Sequence, residues 1–182
     1  LFTHLRGHAS FTGRNTISVD RAGQRIEATA EHFIIATGSR PRALPNVTVD
    51  EKCIMTSDGI FHINDLPESI VIIGAGVIGC EFATIFSNFG RTKVHLIDRA
   101  DRILPFEDTD VSELVARNLE RRGVVIHRNA KLERIEAMPH GIEYDLSYAD
   151  GRTERVNVER ALLSVGRIPN LENLGLEHLG LE

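Results

Sequence analysis

Four β-branched residues, Ile70-Val71-Ile72-Ile73, run without a polar interruption into Gly74-Ala75-Gly76-Val77-Ile78-Gly79. Such a run predicts a strand covered on both faces, as in a parallel sheet packed between layers. Beyond the glycines, Ile78, Phe82, Ile85, Phe86 and Phe89 recur at the spacing of one helical face, and Gly90 supplies a left-handed stop. Lys93 to Ile97 predicts the next strand, ending in Asp98. A second helix is expected from about Asp110 to Arg122, capped by Thr109 or Asp110, with Val111, Leu114, Val115 and Leu119 on its apolar stripe and Gly123 behind it. Val124-Val125-Ile126 then reads as a third strand. The order strand, helix, strand, helix, strand makes these strands parallel, because crossovers in one sheet are right-handed.

The flanking sequence has a different rhythm. After Ile126 the helical signal stops, and Leu132 to Ala137, Ile142 to Tyr148 and Thr153 to Val158 predict an antiparallel meander with a hairpin turn at Asp150-Gly151. Ala161 to Val165 is apolar again and ends in Gly166. Before the core unit, Thr16 to Val19 and Arg25 to Ala28 read as short strands about a turn at Arg21 to Gly23, and His32 to Gly38 reads as a buried strand. Pro41, Pro45 and Pro67 make residues 42–69 a connector, with one helical turn near Ser57 to Phe61. Phe33 to Pro41 resembles Ala161 to Pro169 at a fixed offset of 128, which reads either as an internal repeat or as two buried strands leaving toward Gly-Pro turns.

Charge and length narrow the function classes. With 21 Lys and Arg against 26 Asp and Glu, the net charge of -5 leaves no excess of positive charge to neutralise nucleic-acid phosphates. The longest uncharged apolar stretch, Ser69 to Cys80, is shorter than the ~20 residues of a membrane-spanning helix. Neither a nucleic-acid nor a membrane partner is expected. Two cysteines, Cys53 and Cys80, form no Cys-x-x-Cys pair and suit a reducing, cytoplasmic setting. His4 and His8 have helical ligand spacing in a segment that reads as extended, so no metal site is expected.

The chemistry lies at the glycine turn. Gly74-x-Gly76-x-x-Gly79 joins a strand to a helix, and Asp98 closes the following strand 19 residues later. This is the setting of a dinucleotide fingerprint: one glycine for the tight turn, one for approach of a pyrophosphate, one for close helix packing. The first-turn N–H groups of the helix, around Val77 and Ile78, would face the phosphates, and Asp98 would accept from the ribose hydroxyls. A carboxylate beside a 2'-phosphate costs on the order of 4 kcal/mol at an effective dielectric near 20, so NAD(H) is favoured. Arg99 and Arg102, either solvated or turned toward a phosphate, keep NADP(H) open. Cys80 reads as a small packing residue, and Glu81 as either a solvated helix-face carboxylate or a paired functional one.

Several motifs in order resemble the pyridine nucleotide-disulfide oxidoreductases: Ala36-Thr37-Gly38-Ser39-Arg40-Pro41, Leu66-Pro67, Ile72 through Glu81, Asp101-Arg102-Ile103-Leu104-Pro105, and Val165-Gly166-Arg167-Ile168-Pro169-Asn170. Within that family the resemblance is to its dihydrolipoamide dehydrogenase and soluble pyridine nucleotide transhydrogenase branches. It implies an α/β fold in which residues 1–41 are strands of a truncated FAD domain, residues 70–166 are a Rossmann-like NAD(H)-binding domain with its meander, and residues 167–182 begin the return to the FAD domain. It implies that Val77 gates the nicotinamide pocket, that Glu81 pairs with a lysine near the flavin, that Gly166 lies beside the dinucleotide and that Gly38 lies near FAD. It also implies a homodimeric parent, with FAD held only there. The family's Cys-x-x-x-x-Cys pair, its FAD-binding glycine turn and its His-x-x-x-x-Glu acid and base have no counterpart in these 182 residues.

These features lead to the expectation of a fragment that binds NAD(H) without turnover and self-associates through apolar surface that further portions would cover. Two other readings stay open. One is a stand-alone NAD(H)-binding or redox-sensing module, and the other a Rossmann turn holding S-adenosylmethionine or FAD.

Overall fold

The structure, a computed structural model, describes residues 2–180. They divide into two compact units, one formed by residues up to Arg40 with those from Ile168 onward, the other by Pro41–Arg167. In the smaller unit, β1 (His8–Gly13), β2 (Thr16–Arg21) and β3 (Gln24–Thr29) form an antiparallel sheet in that order. Phe11 and Val19 are its buried apolar residues, with Phe11 edge-on to Phe33 at 5.1 Å. The expected strand over His32 to Gly38 is absent, and Ile34 is 94% exposed. No described strand lies beside it, so its apolar residues have nothing to pack against and its main chain no ladder to join. A short strand, β4 (Ser39–Pro41), follows.

The larger unit is a three-layer α/β structure. Its elements run β5 (Ile54–Thr56), β6 (Ser69–Ile73), α1 (Val77–Asn88), β7 (Lys93–Ile97), α2 (Thr109–Arg121), β8 (Val125–His127), β9 (Ala130–Met138), β10 (Gly141–Tyr148), β11 (Thr153–Val158) and β12 (Arg160–Leu163). The last short strand, β13 (Arg167–Pro169), belongs mostly to the smaller unit and pairs there with β4. A parallel five-stranded sheet has the order β5-β12-β6-β7-β8. Residues 42–69, expected to be a connector, thus contribute an edge strand. Its Ile54, Met55 and the nearby Ile60 are buried, because three residues between turns suffice to reach the open side of β12.

The β-branched run explains the layering. Ile70 and Ile72 point to the helix side, where Phe82, Phe86, Ala116 and Leu119 cover them. Val71 and Ile73 point the other way, onto Ile135, Ile142, Tyr144 and Val158 of the antiparallel sheet β11-β10-β9. Alternation places successive residues on opposite faces. Each fully buried side chain of this kind stabilises the fold by roughly 1.5–3 kcal/mol.

Both helices sit less deeply than their stripes suggest. Ile85 of α1, Phe89 at its C-cap, and Val111 and Leu114 of α2 are exposed, while α2 buries Ser112, Ala116 and Leu119. The α2 cap also differs from expectation: Asp108 occupies that position without a side-chain bond, and the Thr109 hydroxyl accepts from Arg102 instead.

Candidate functional site

The C-terminal ends of β6, β7 and β12 open into a cleft of about 930 Å³ within the larger unit. Such a position, beyond the carboxyl ends of parallel strands, is where open α/β sheets hold ligands. Its floor is the glycine turn. Gly74 has φ +101, and a Cβ there would come within 2.5 Å of the Ser164 carbonyl oxygen. A Cβ on Gly79 would run into the Gly74 carbonyl, whereas one on Gly76 would meet nothing within 4 Å. The first and third glycines therefore fix the turn against β12 and α1, and the second leaves open space toward the cleft. α1 starts with Gly76 as an N-cap lacking a side chain, and the first main-chain bond back to it comes from Cys80 N–H at 3.0 Å. The N–H groups of its first turn are available to an anion.

Asp98 stands at the end of β7, half-buried, and braces this turn. One carboxylate oxygen accepts from Ala75 N–H at 2.7 Å and the other from Ala100 N–H at 2.9 Å. A carboxylate offers about four acceptor sites, so both oxygens retain capacity for hydroxyl donors. The residue is also stitched laterally, its N–H donating to His127 at 3.0 Å and its carbonyl accepting from Ala130 N–H at 2.9 Å. On the opposite wall the Ser164 hydroxyl donates to the Gly74 carbonyl at 2.8 Å, with the Ile73 carbonyl at 3.0 Å as alternative acceptor.

Of the residues singled out by sequence, Gly74, Gly76, Val77, Ile78, Asp98, Arg99 and Gly166 all line this cleft. Gly166 has φ +110, and its carbonyl accepts from Arg42 N–H at 2.9 Å. Gly79 lies beneath the floor, buried. Arg102 is turned away, donating to Thr109 and to the Pro105 carbonyl, so only Arg99 of the two arginines faces the cleft. Glu81 lies on the outer side of α1, exposed, in a shallower apolar groove with Phe61, Cys80 and Val111. Val77, also exposed, borders both the cleft and this groove. The Cys80 thiol donates to the Ala75 carbonyl at 3.5 Å, and burial together with the nearby Asp98 charge pushes it up to about 12, which marks a packing residue.

In the smaller unit, Gly38 has φ +75 and its carbonyl accepts from Asn170 N–H at 3.0 Å. Thr37 bonds the same asparagine through its hydroxyl and its carbonyl, and Arg40 pairs with Glu172. Among the described residues this unit holds a three-stranded sheet, short extended pieces and a 3-10 turn at Leu176–Leu179, with no strand–glycine turn–helix. Among the described residues it therefore carries no glycine turn of the kind that holds a flavin's phosphates.

Sequence reasoning missed two walls of the cleft. One is Arg42 to Val47, hidden among prolines, and the other Ala130 to Ile135 on β9, where alternation marks a strand but not which side faces a ligand. Lys131 there is paired with Glu133 at 2.8 Å, and Glu133 also accepts from Ser147. These contacts hold the Glu133 carboxyl below its usual range.

The family model for pyridine nucleotide-disulphide oxidoreductases matches residues 2–182. Dihydrolipoyl dehydrogenase of Bacillus subtilis is 36% identical over 179 residues, covering 98% of this chain and 37% of the relative. Soluble pyridine nucleotide transhydrogenase of Azotobacter vinelandii is 37% identical over 177 residues, covering 97% and 37%. Among solved structures, LpdA of Mycobacterium tuberculosis superposes with a TM-score of 0.80 at 29% identity, covering 97% of this chain and 39% of that one. The HOCl-induced flavoprotein disulfide reductase RclA of Escherichia coli gives 0.75 at 29% identity. The chain spans about two fifths of the length of the curated relatives it matches.

Proposed function

We propose that this chain, which belongs to the pyridine nucleotide-disulphide oxidoreductase family, supplies the NAD(H)-binding portion of an FAD-dependent oxidoreductase and positions the nicotinamide for hydride exchange with the flavin. The observation that carries this reading is the division of labour among the glycines: Gly74 and Gly79 are sterically obligatory, while a Cβ on Gly76 would meet nothing within 4 Å. Space above Gly76 and the bare N-terminus of α1 fit a pyrophosphate. Asp98, held by Ala75 and Ala100, presents its remaining lone pairs to the ribose of an adenosine. When bound, the nicotinamide supplies the hydride; the protein's part is to hold and orient it.

Val77, at the rim where cleft and groove meet, takes the gating role, with Glu81 on the groove side as the carboxylate that faces the rest of the enzyme. Gly166 borders the dinucleotide and Gly38 the FAD side. The 182 residues alone bind NAD(H) without turnover, in keeping with a buried, unreactive Cys80 and a smaller unit without a flavin turn. The whole protein acts in the cytoplasm as a homodimer, and the chain alone self-associates through the groove around Phe61 and Val111. A monomeric light-scattering profile at high concentration contradicts that last point.

Calorimetric titration with NADH and NADPH tests the reading. NADH should bind at least about tenfold more tightly, a difference of about 1.4 kcal/mol. Equal affinities would mean that Arg99 offsets the repulsion between Asp98 and a 2'-phosphate, and binding of neither would refute the reading.

A further inference from the structure

Two histidines lie beneath the cleft, 6% and 8% exposed: His95 on β7 and His127 at the end of β8. Their rings stack, centroids 5.4 Å apart, with His95 Nδ1 3.1 Å from His127 Nε2. His127 Nδ1 lies 2.7 Å from the Tyr148 hydroxyl on β10, and the Glu154 carboxylate on β11 stands 3.7 Å from the same nitrogen. One assignment of protons satisfies every pair: His95 Nδ1–H donates to His127 Nε2, His127 Nδ1–H to the Tyr148 oxygen, and the Tyr148 hydroxyl to Glu154. This relay joins the central sheet to the meander.

It also reaches the cleft. The His127 carbonyl accepts from Asp98 N–H, and Asn129 and Ala130, immediately after it, donate to the Ala100 and Asp98 carbonyls at 2.9 Å each. The segment that closes the adenosine end of the cleft is therefore continuous with the ring that anchors the relay.

Resting on the dinucleotide reading above, we propose that the His95–His127 pair is a proton-responsive brace of the cleft: protons taken up by the pair loosen the Asp98–Ala130 crossover and weaken dinucleotide binding, and bound dinucleotide in turn expels those protons. One proton on His127 makes both its nitrogens donors, which His95 accommodates only by moving its own proton to Nε2. A second proton sets N–H against N–H and breaks the pair. The surroundings oppose the charge: Lys93 on β7 is itself a cation, the Tyr144 ring stands edge-on to His95 at 6.4 Å, and Arg152 covers the Tyr148 ring. Glu154, itself partly exposed, is the one carboxylate facing His127. Burial accordingly lowers both imidazoles, His95 to about 4.

The test is NAD+ binding to the 182-residue chain by calorimetry from about pH 7.5 down to about pH 4, because burial holds the pair below the range of free imidazoles, in buffers of differing ionisation enthalpy. Affinity should fall about twofold or more at the acid end, where the pair begins to carry protons. Binding there should release protons, a count that needs no variant. The double variant His95→Asn/His127→Gln, which keeps polar contacts but cannot titrate, should bind as wild type at the upper pH and lose most of the pH dependence. Binding without proton release, or an equal pH dependence in the double variant, would overturn the brace and leave dinucleotide binding standing. No binding of NAD+ at either pH would overturn both.

Discussion

Phe33–Pro41 and Ala161–Pro169 have similar sequences and different fates. Ala161, Leu162 and Leu163 are almost wholly buried in β12, between the parallel neighbours β5 and β6. Ile34 and Ile35, in the matching run, are exposed and form no strand. Beyond the apolar stretch the two segments behave alike: Gly38 and Gly166 both take positive φ, and each offers its carbonyl to a main-chain N–H, of Asn170 and Arg42 respectively. The turn chemistry is local and survives in both, whereas a strand exists only where neighbours complete its ladder and cover its faces.

The largest expected effect contrasts these segments directly. Leu162→Ala should cost about 2–5 kcal/mol in urea unfolding, and Ile34→Ala no more than about 0.5 kcal/mol. A sizeable loss at Ile34 would show that the first segment is packed after all. Gly79→Ala, which forces a Cβ onto the Gly74 carbonyl, should destabilise by about 1–3 kcal/mol or more. Acid should then weaken the larger unit. His95 is depressed in the folded state, so the unfolded chain binds more protons once the pH drops below its ordinary value near 6.5, and stability falls with pH from there toward about 4. Between about pH 7.5 and 5 that loss is about 2 kcal/mol for His95 alone, measurable as the urea midpoint and abolished in His95→Asn. Gly76→Ala should affect stability as little as Ile34→Ala, within about 0.5 kcal/mol, yet it should lower NADH affinity about tenfold or more by filling the space above the turn.

Much of the larger unit was legible because periodicity and punctuation agree there. Ile70–Ile73, the three glycines, the α1 stripe and Asp98 each constrain one another, and the alternation in Ile142–Tyr148 marks a half-buried strand. Legibility failed where burial depends on distant partners. The strand Ile54–Thr56 is three residues long and its pattern is drowned by flanking prolines, while His32–Gly38 looks buried without companions to bury it. The exposed Val111 and Leu114 show that an amphipathic stripe fixes the face of α2 only approximately. The cleft's floor follows from the glycine spacing. Its walls at Arg42–Val47 and Lys131–Arg134, and the histidines beneath it, arise from pairings across tens of residues that no local pattern encodes.

The most direct measurement is an amide chemical-shift map of the 15N-labelled chain titrated with NAD+. Shifts concentrated at Gly74–Gly79, Asp98–Arg99, Ala130–Ile135 and Ser164–Gly166, with the strands His8–Thr29 unmoved, are expected if the dinucleotide binds over the glycine turn. Shifts centred on Gly38 and Asn170, or none at the glycine turn, would contradict it.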